Sequence, residues 1–311
     1  MSRHTGIAGL LICVSAGVLP YPGTVRAGDF DEAFSLRLPA ALSRFSSYGD
    51  VAAAGGASAG SKWLSSINPA STGWLEIPGR LGVSLSPQYS LICFAEGAKL
   101  HVATESLAWD SRQWGVFQPA VAQVRSNTST TRQGLKFQYE MDYFQMQWGR
   151  RVGEDWAFGA NVNVSTSETR FDYAFCRSRT TLYDLSGMGL GDVKIRDTTH
   201  QFLLRPGASF EYKEDSAVYF DYQFGSFCND EGDLRVHRFW AGVDHQLFGW
   251  LYVRAGASLD ARGNPAWTAG VGVYPTDWFT VDVAYQDDMF PEVAREFGRS
   301  RLVTLSVGLR F

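Results

Sequence analysis

The sequence lacks an excess of basic residues and lacks long apolar runs. Its 311 residues carry 28 Lys and Arg against 32 Asp and Glu, which gives a formal net charge of −4. Nucleic-acid-binding proteins usually show the opposite balance. Beyond the N-terminus, no apolar run approaches the roughly 18 to 20 residues that a membrane-spanning helix needs. These absences exclude a polytopic helical membrane protein and argue against a nucleic-acid partner.

Cysteine is also scarce, with four residues in the whole chain. One of them, Cys13, lies in the N-terminal apolar stretch, which leaves Cys93, Cys176 and Cys228. Their spacing matches no zinc pattern, and no Cys-x-x-Cys motif occurs. An odd number in an oxidising compartment allows at most one disulfide. We therefore expect neither a metal nor a cofactor.

Histidine shows no catalytic or metal-binding spacing. Beyond the N-terminal segment, no histidine lies beside a recognisable nucleophile motif. Scattered histidines and aspartates on strands usually provide surface or lumen polarity. We expect no enzyme, although the sequence leaves open a hydrolase site assembled across strands. The histidines in question are His101, His200, His237 and His245.

The chain is nevertheless apolar enough to fold. Hydrophobic residues make up 45% of it, aromatic residues 14% and charged residues 19%, which excludes intrinsic disorder. The mean hydropathy is −0.14. Two classes remain: a soluble β-rich domain, or a membrane β-barrel that carries its apolar residues in alternation instead of in runs.

Residues 1–27 resemble a cleavable export signal. Arg3 and His4 precede an apolar stretch from Ile7 to Val14, and Val25-Arg26-Ala27 supplies the small residues that a signal peptidase reads. Cleavage after Ala27 lowers the net charge to −6 because two arginines and no acid are removed. The mature protein is expected outside the cytoplasm.

The second half of the chain alternates strictly between apolar and polar residues. Near the C-terminus, Val303, Leu305 and Val307 alternate with Thr304 and Ser306, a period of two that predicts a half-buried strand. Counting back along the chain gives about twelve such runs. The segment 174–198 offers room for another hairpin, which would raise the number to fourteen.

The connections between these runs differ in length on the two sides. Tight turns are predicted at 151–155, 213–216, 247–249 and 275–277, and longer connections at 174–198, 226–234 and 287–300. Trp156, Trp250 and Trp278 each follow a tight turn, as an aromatic girdle at the membrane interface requires. The fold class predicted is all-β: a transmembrane antiparallel β-barrel of about 12–14 strands, with a soluble all-β fold as the alternative.

Charged residues fall on the face opposite the apolar set. If the apolar set contacts lipid, charges of both signs line the lumen, where they form ion pairs or select a solute. The main candidates are Asp221, Arg238, Asp244, Arg254 and Asp282, joined by Lys136, Glu140, Asp142, Arg205 and Glu211. A change of parity between Phe137 and Trp148 predicts a β-bulge near Tyr143, and Pro206 predicts a second bulge.

Phe311 closes the last alternating strand. A final strand that ends in an aromatic residue resembles the signal that the barrel-insertion machinery of outer membranes recognises. We expect the localisation to be the bacterial outer membrane, with its lipid and that machinery as partners.

Residues 28–78 do not alternate and are rich in Ala, Gly and Ser. A Gly55-Gly56 pair precedes Asn68-Pro69-Ala70. This stretch resembles the long-chain fatty-acid transporter (FadL-like) superfamily, which includes the PorV and PorQ type of outer-membrane proteins. The resemblance implies that residues 28–78 form a hatch that plugs a barrel of residues 79–311. The hatch residues implied are Gly55, Gly56, Asn68, Pro69 and Ala70.

Two functions follow from this resemblance. The first is passive uptake of a small hydrophobic compound through a hatch-plugged barrel. The second is a structural or cargo-handling role in a secretion or surface-attachment assembly. Aromatic residues predicted in the outer loops, namely Tyr173, Phe175, Phe227 and Phe290, would catch a hydrophobic ligand or a protein. Cys176 and Cys228, also predicted in outer loops, are the hypothesised disulfide.

Overall fold

The protein is represented by a computed structural model. The structure describes residues 34–43, 72, 73, 75, 77, 80–127, 129–130, 136–153, 156–172, 192–195, 200–229 and 232–311. The predicted signal segment 1–27, the five residues of the hatch motif and Cys176 lie outside these ranges.

Strands dominate the described residues. The elements are α1 (Phe34–Leu42), β1 (Val83–Phe94), β2 (Lys99–Asp110), β3 (Val116–Ser126), β4 (Ser129–Thr130), β5 (Lys136–Val152), β6 (Trp156–Asp172), β7 (Asp192–Ile195), β8 (His200–Leu204), β9 (Gly207–Lys213), β10 (Ser216–Asn229), β11 (Gly232–Phe248), β12 (Leu251–Asp260), β13 (Pro265–Thr276), β14 (Phe279–Asp287), a 3₁₀ turn (Pro291–Val293), α2 (Ala294–Phe297) and β15 (Ser300–Arg310).

The strands form one antiparallel sheet in which the first and last strands are neighbours. Its order is β7-β6-β5-β3-β2-β1-β15-β14-β13-β12-β11-β10-β8, with β4 on β5 and β9 on β10. The amide of Phe311 donates to the carbonyl of Val83 at 2.8 Å, which ties the two chain ends of the sheet together. The prediction of an antiparallel all-β fold is confirmed. Closure of the sheet into a barrel stays a prediction.

The twelve predicted runs each coincide with a long strand, counting β8 and β9 as one. Within 174–198 the structure describes β7, which pairs with β6. The predicted long connection at 226–234 was wrong, because β10 continues to Asn229 and β11 begins at Gly232. The longer hairpin is favoured by apolar contacts that Phe227 and Leu234 make on the inner side.

The two faces of the sheet have opposite chemistry. Helix α1 packs on one face, here called the inward face, against β10 and β11. On β15 the inward Thr304 and Ser306 are fully buried, whereas the outward Val303 and Leu305 are nearly half exposed. The outward apolar set includes Tyr89, Trp109, Val121, Phe144, Phe220, Phe239, Leu259, Val271, Val283 and Phe311. A water-soluble β-sandwich has the reverse arrangement, with its apolar face buried.

The bulge predicted near Tyr143 was wrong. The pairing register of β5 is constant against both β3 and β6. Phe137 and Tyr139 face inward and are buried, whereas Phe144 and Met146 face outward and are exposed. The apolar residues change parity because those at the start of β5 pack into an inner apolar core, whereas those in its middle face outward. Glu140 and Asp142, predicted in the lumen, accordingly lie on the outward face.

The bulge predicted at Pro206 was also wrong. Strands β8 and β9 keep one register against β10 across this residue. The carbonyl of Pro206 still accepts a hydrogen bond from the amide of Tyr222 at 2.9 Å, so the proline costs only the bond that its missing N–H would donate. The register shift of this hairpin lies instead between Ser216 and Ala217.

Candidate functional site

The inward face holds the five principal charges that the sequence placed in a lumen. Asp221, Arg238, Asp244, Arg254 and Asp282 are all buried there. They belong to three separate groups at different heights of the sheet. The turn end is the end with the short connections at 214–215, 249–250 and 277–278, and the loop end is the opposite one.

The group at the turn end is centred on Arg254 of β12. Its Nε lies 3.1 Å from Asp244 Oδ2 on β11, and its Nη1 contacts Asp282 on β14. The Arg254 Nη2 also donates to the Tyr274 hydroxyl at 2.7 Å. One guanidinium thereby meets two carboxylates and links four neighbouring strands.

Gly272 makes this arrangement possible. Strand β13 lies between Arg254 and Asp282, and Gly272 is the β13 residue paired with Asp282. A Cβ atom at Gly272 would collide with the Asp282 carboxylate and the Arg254 guanidinium. The arginine therefore reaches across a whole strand because this position has no side chain.

The middle group joins Arg205 and Asp221. Arg205 Nη2 lies 3.3 Å from Asp221 Oδ2, and both side chains are almost fully buried. The guanidinium also lies over the ring of Trp240, 4.1 Å from its centre, in cation–π geometry. The pair is a charged contact buried on the inward face of the sheet, with the Trp240 ring packed against the guanidinium.

Helix α1 occupies the inward face at the loop end. Leu36 and Ala40 are buried against Phe227, Leu234 and Val236 of the β10–β11 hairpin. Opposite this contact, Leu38 and Ala41 join the larger apolar cluster. The helix is therefore buried on two sides, and we call it the plug helix.

A loop insertion completes this inner core. Residues 288–299, between β14 and β15, fold inward as the 3₁₀ turn and α2. The Phe297 ring centre lies 5.4 Å from that of Phe94 and 4.8 Å from that of Phe137. Phe290 lies 6.3 Å from Phe94. We call these four rings the phenyl cluster.

The expectation of exposed loop aromatics was therefore wrong where the structure tests it. Phe227 and Phe290 are both buried on the inward side. Their chain segments reach the loop end but turn their rings into the core, because an apolar ring gains free energy by leaving water. Tyr173 and Phe175 lie outside the described residues.

Four charged side chains connect the plug helix to the loop insertion and to strand β11 of the sheet. Arg37 of the plug helix pairs with Glu296 at 2.5 Å and donates to the carbonyl of Glu292 at 2.9 Å. Arg238 of β11 pairs with Glu292 at 2.6 Å and donates to the carbonyl of Ala40 at 2.7 Å. We call Arg37, Arg238, Glu292 and Glu296 the latch.

Sequence reasoning found only Arg238 of the latch. Arg37 lies in the segment predicted as hatch, and the two glutamates lie in a connection predicted as a polar loop. A signal was present: Glu292 and Glu296 are spaced i, i+4 within Pro291-Glu-Val-Ala-Arg-Glu-Phe297, a pattern that puts both acids on one side of a helical turn.

The remaining predicted residues are placed as follows. Phe311 lies at the turn end with its ring about half exposed. Trp250 and Trp278 also lie at the turn end and are exposed. Cys228 is exposed near the loop end of β10. Its pairing with Cys176 stays a prediction.

A separate recess lies on the outward surface. Its volume is about 740 Å³, and small residues, among them Ala241 and Ala257, form its floor between Phe220, Phe239 and Leu259. Because the sheet separates this recess from the plug helix, it is no part of the inner site.

Two structural absences concern the described residues only. No group of three or more potential metal ligands occurs among them. None of the helices in that part of the chain has the length and apolar character needed to cross a membrane.

Comparisons with known proteins give distant structural likenesses. No protein-family model matches the sequence, and no curated protein matches it. The toluene transporter TodX of Pseudomonas putida is similar in structure with a TM-score of 0.45 and 10% identity, over 91% of this chain and 99% of that chain.

Two further solved structures are comparable. A monoaromatic hydrocarbon channel, CymD, has a TM-score of 0.39 and 12% identity, over 78% of this chain and 91% of that chain. The translocator domain of the autotransporter NalP from Neisseria meningitidis has a TM-score of 0.41 and 12% identity, over 75% of this chain and 90% of that chain. Likeness at this level carries no argument about function, which rests on the geometry above.

Proposed function

We propose that the chain is an outer-membrane β-barrel that admits a small hydrophobic compound when its plug helix moves. The membrane position is supported by the reversed polarity of the sheet. On β15 an outward apolar set runs from Val303 to Phe311, below the charged Arg301. At about 3.3 Å per residue and a tilt near 40°, this stretch covers about 20 Å of height, close to the apolar band of about 25 Å in such barrels.

The closed state is supported by burial on the inward face. Polar side chains such as Ser90, Gln223 and Thr304 point inward and are almost inaccessible to solvent. In a water-filled channel, such side chains would be exposed to solvent. The interior is therefore filled at these positions, and a solute can pass only if part of the protein moves.

The moving part is the plug helix together with the loop insertion. Arg238 joins this unit to the sheet through Glu292 and the carbonyl of Ala40, whereas the Arg37–Glu296 pair lies within the unit. Apolar contacts to Phe227, Leu234 and Val236 and to the larger apolar cluster also hold it. Release therefore breaks the bonds of Arg238 and exposes part of this apolar surface.

The substrate class is supported by the phenyl cluster, which carries this part of the proposal. Phe94 and Phe137 belong to strands β1 and β5 of the sheet, whereas Phe290 and Phe297 belong to the loop insertion. Displacement of the insertion would leave an apolar, aromatic lining at the loop end of the lumen. Such a lining favours an apolar or aromatic solute over a sugar or an ion.

The test is uptake into vesicles that contain the purified full chain. A hydrophobic dye and a sugar of similar size are supplied outside, and entry is followed for the parent protein and for Glu292→Gln. We expect the dye to enter faster than in protein-free vesicles, and faster still with the variant because its latch is weakened. Arg125→Gln, which alters the exposed Arg125–Asp142 ion pair on the outward face, is the matched control.

Equal dye entry with and without protein would contradict transport. So would a sugar flux that exceeds the dye flux, since it would indicate a polar pore. Recovery of the native protein in a stoichiometric complex with periplasmic or surface proteins would instead support the assembly role.

A further inference from the structure

A cluster of cations lies on the outward face at the loop end, where the first and last strands meet. Arg301 of β15 and Lys99 of β2 are each paired with Cys93 of β1. Both cations are exposed and point outward. At about 4.8 Å per strand, their Cα atoms lie roughly 10 Å apart, so two long side chains can meet around one anionic group.

A hydrogen-bonded histidine lies directly below this pair. His101 follows Lys99 by two residues on the same face, and its Nδ1 is hydrogen-bonded to the Tyr89 hydroxyl at 2.6 Å. With the tyrosine as donor, the imidazole keeps its proton on Nε2. The exposed His101 then offers an N–H on the same surface as the two cations.

Acidic neighbours neutralise the pair only in part. Arg301 Nε lies 3.9 Å from the Asp287 carboxylate. That carboxylate is already bound by Arg299 at 2.6 Å and by the Trp267 indole N–H at 3.1 Å. Lys99 forms no side-chain ion pair among the described residues, and its charge faces outward.

The surface below the cations is apolar. Leu91 is paired with both Val303 and His101, and Val303, Leu305 and Tyr89 are nearly half exposed. The cluster therefore lies where an apolar belt ends and charges begin. The paired outward residues at the loop end of β12 and β13 are the uncharged Leu259 and Pro265, so the cations are not repeated there.

We propose that Lys99, Arg301 and His101 bind the phosphate of a membrane lipid whose acyl chains lie along Leu91, Val303 and Leu305. Charge complementarity selects the headgroup, since juxtamembrane cations attract anionic lipids. The exposed apolar residues directly beneath select a lipid over free phosphate. This inference rests on the proposed membrane position but not on the transported solute.

The test compares retention of phosphatidylglycerol and phosphatidylcholine with the same acyl chains, by mass spectrometry of the intact chain released from vesicles. We expect the parent protein to retain the anionic lipid preferentially. A contribution of about 1 kcal/mol for each cation corresponds to about fivefold in affinity, so Lys99→Gln with Arg301→Gln should weaken retention about 30-fold.

Two further variants sharpen the result. Lys99→Arg with Arg301→Lys keeps both charges and should retain the lipid as the parent does. Lys213→Gln removes a cation at the turn end, where Nζ donates to the carbonyl of Gln246, and should have no effect. Equal retention of both lipids, or equal losses in the double variant and Lys213→Gln, would overturn the lipid site alone. Failure to insert into vesicles would overturn the membrane position as well.

Discussion

Arg238 on β11 and Glu292 in the loop insertion form an ion pair of 2.6 Å in which neither side chain is exposed to solvent. The arginine also donates to the carbonyl of Ala40 at 2.7 Å and to the Ser43 hydroxyl at 2.8 Å. One guanidinium thus joins three parts of the chain that are far apart in sequence. Charges buried in this way are costly unless every partner is present.

Glu292→Gln should lower the free energy of unfolding by about 3–5 kcal/mol, since it leaves the Arg238 charge buried without its counter-charge. The measurement is urea unfolding of the protein folded in detergent micelles. Arg125→Gln is the control and should cost less than about 1 kcal/mol, because the Arg125–Asp142 pair is exposed. A double change of Arg238 and Glu292 to Met should recover much of the loss. Equal effects of Glu292→Gln and Arg125→Gln would contradict the latch.

Gly272→Ala should destabilise the turn end by about 1–3 kcal/mol, the usual cost of forcing an extra methyl group into a filled site. The added methyl would displace the Asp282 carboxylate or the Arg254 guanidinium. Gly249→Ala is the matched control, because nothing lies within 4 Å of a Cβ atom there. The same unfolding assay compares the two. If both alanines have the same effect, Gly272 is not needed for the crossing arginine.

Val271→Arg distinguishes a membrane barrel from a soluble sheet. Val271 lies in the middle of β13 on the outward face and is substantially exposed. In a bilayer, an arginine there should cost about 2–4 kcal/mol of unfolding free energy. In a soluble protein, the same change on a solvent-exposed face should alter the unfolding free energy by no more than about 0.5 kcal/mol. Unfolding from vesicles measures the difference, with Asp277→Arg in the β13–β14 turn as the control for added charge.

Phe311→Ala should reduce the amount of protein assembled in the outer membrane several-fold, while refolding of the purified chain into vesicles stays nearly unchanged. The backbone bond from Phe311 to Val83 does not need the ring, and the ring is 53% exposed. Membrane fractionation measures the first effect and a gel-mobility folding assay the second. Parallel losses in both assays would make Phe311 a packing residue instead of an insertion signal.

The sequence by itself determined the strands and most of their faces. The alternation of Val303 and Leu305 with Thr304 and Ser306 predicts a strand with an apolar and a polar side, and the structure has both. The same rule places Asp221, Arg254 and Asp282 opposite the apolar set, and these three are buried on the inward face. Period-two patterns are reliable for these residues because most of each strand meets one environment on each side.

Only the tertiary structure decided where that rule changes. Phe137 and Phe144 lie on opposite faces of one regular strand, because the loop end of β5 meets an inner core and the middle of β5 does not. Sequence cannot show this, since the core is built by the plug helix and by residues 288–299, which are distant along the chain. The latch could not be predicted from the sequence for the same reason, because Arg37 and Glu296 become partners only when two remote segments fold together.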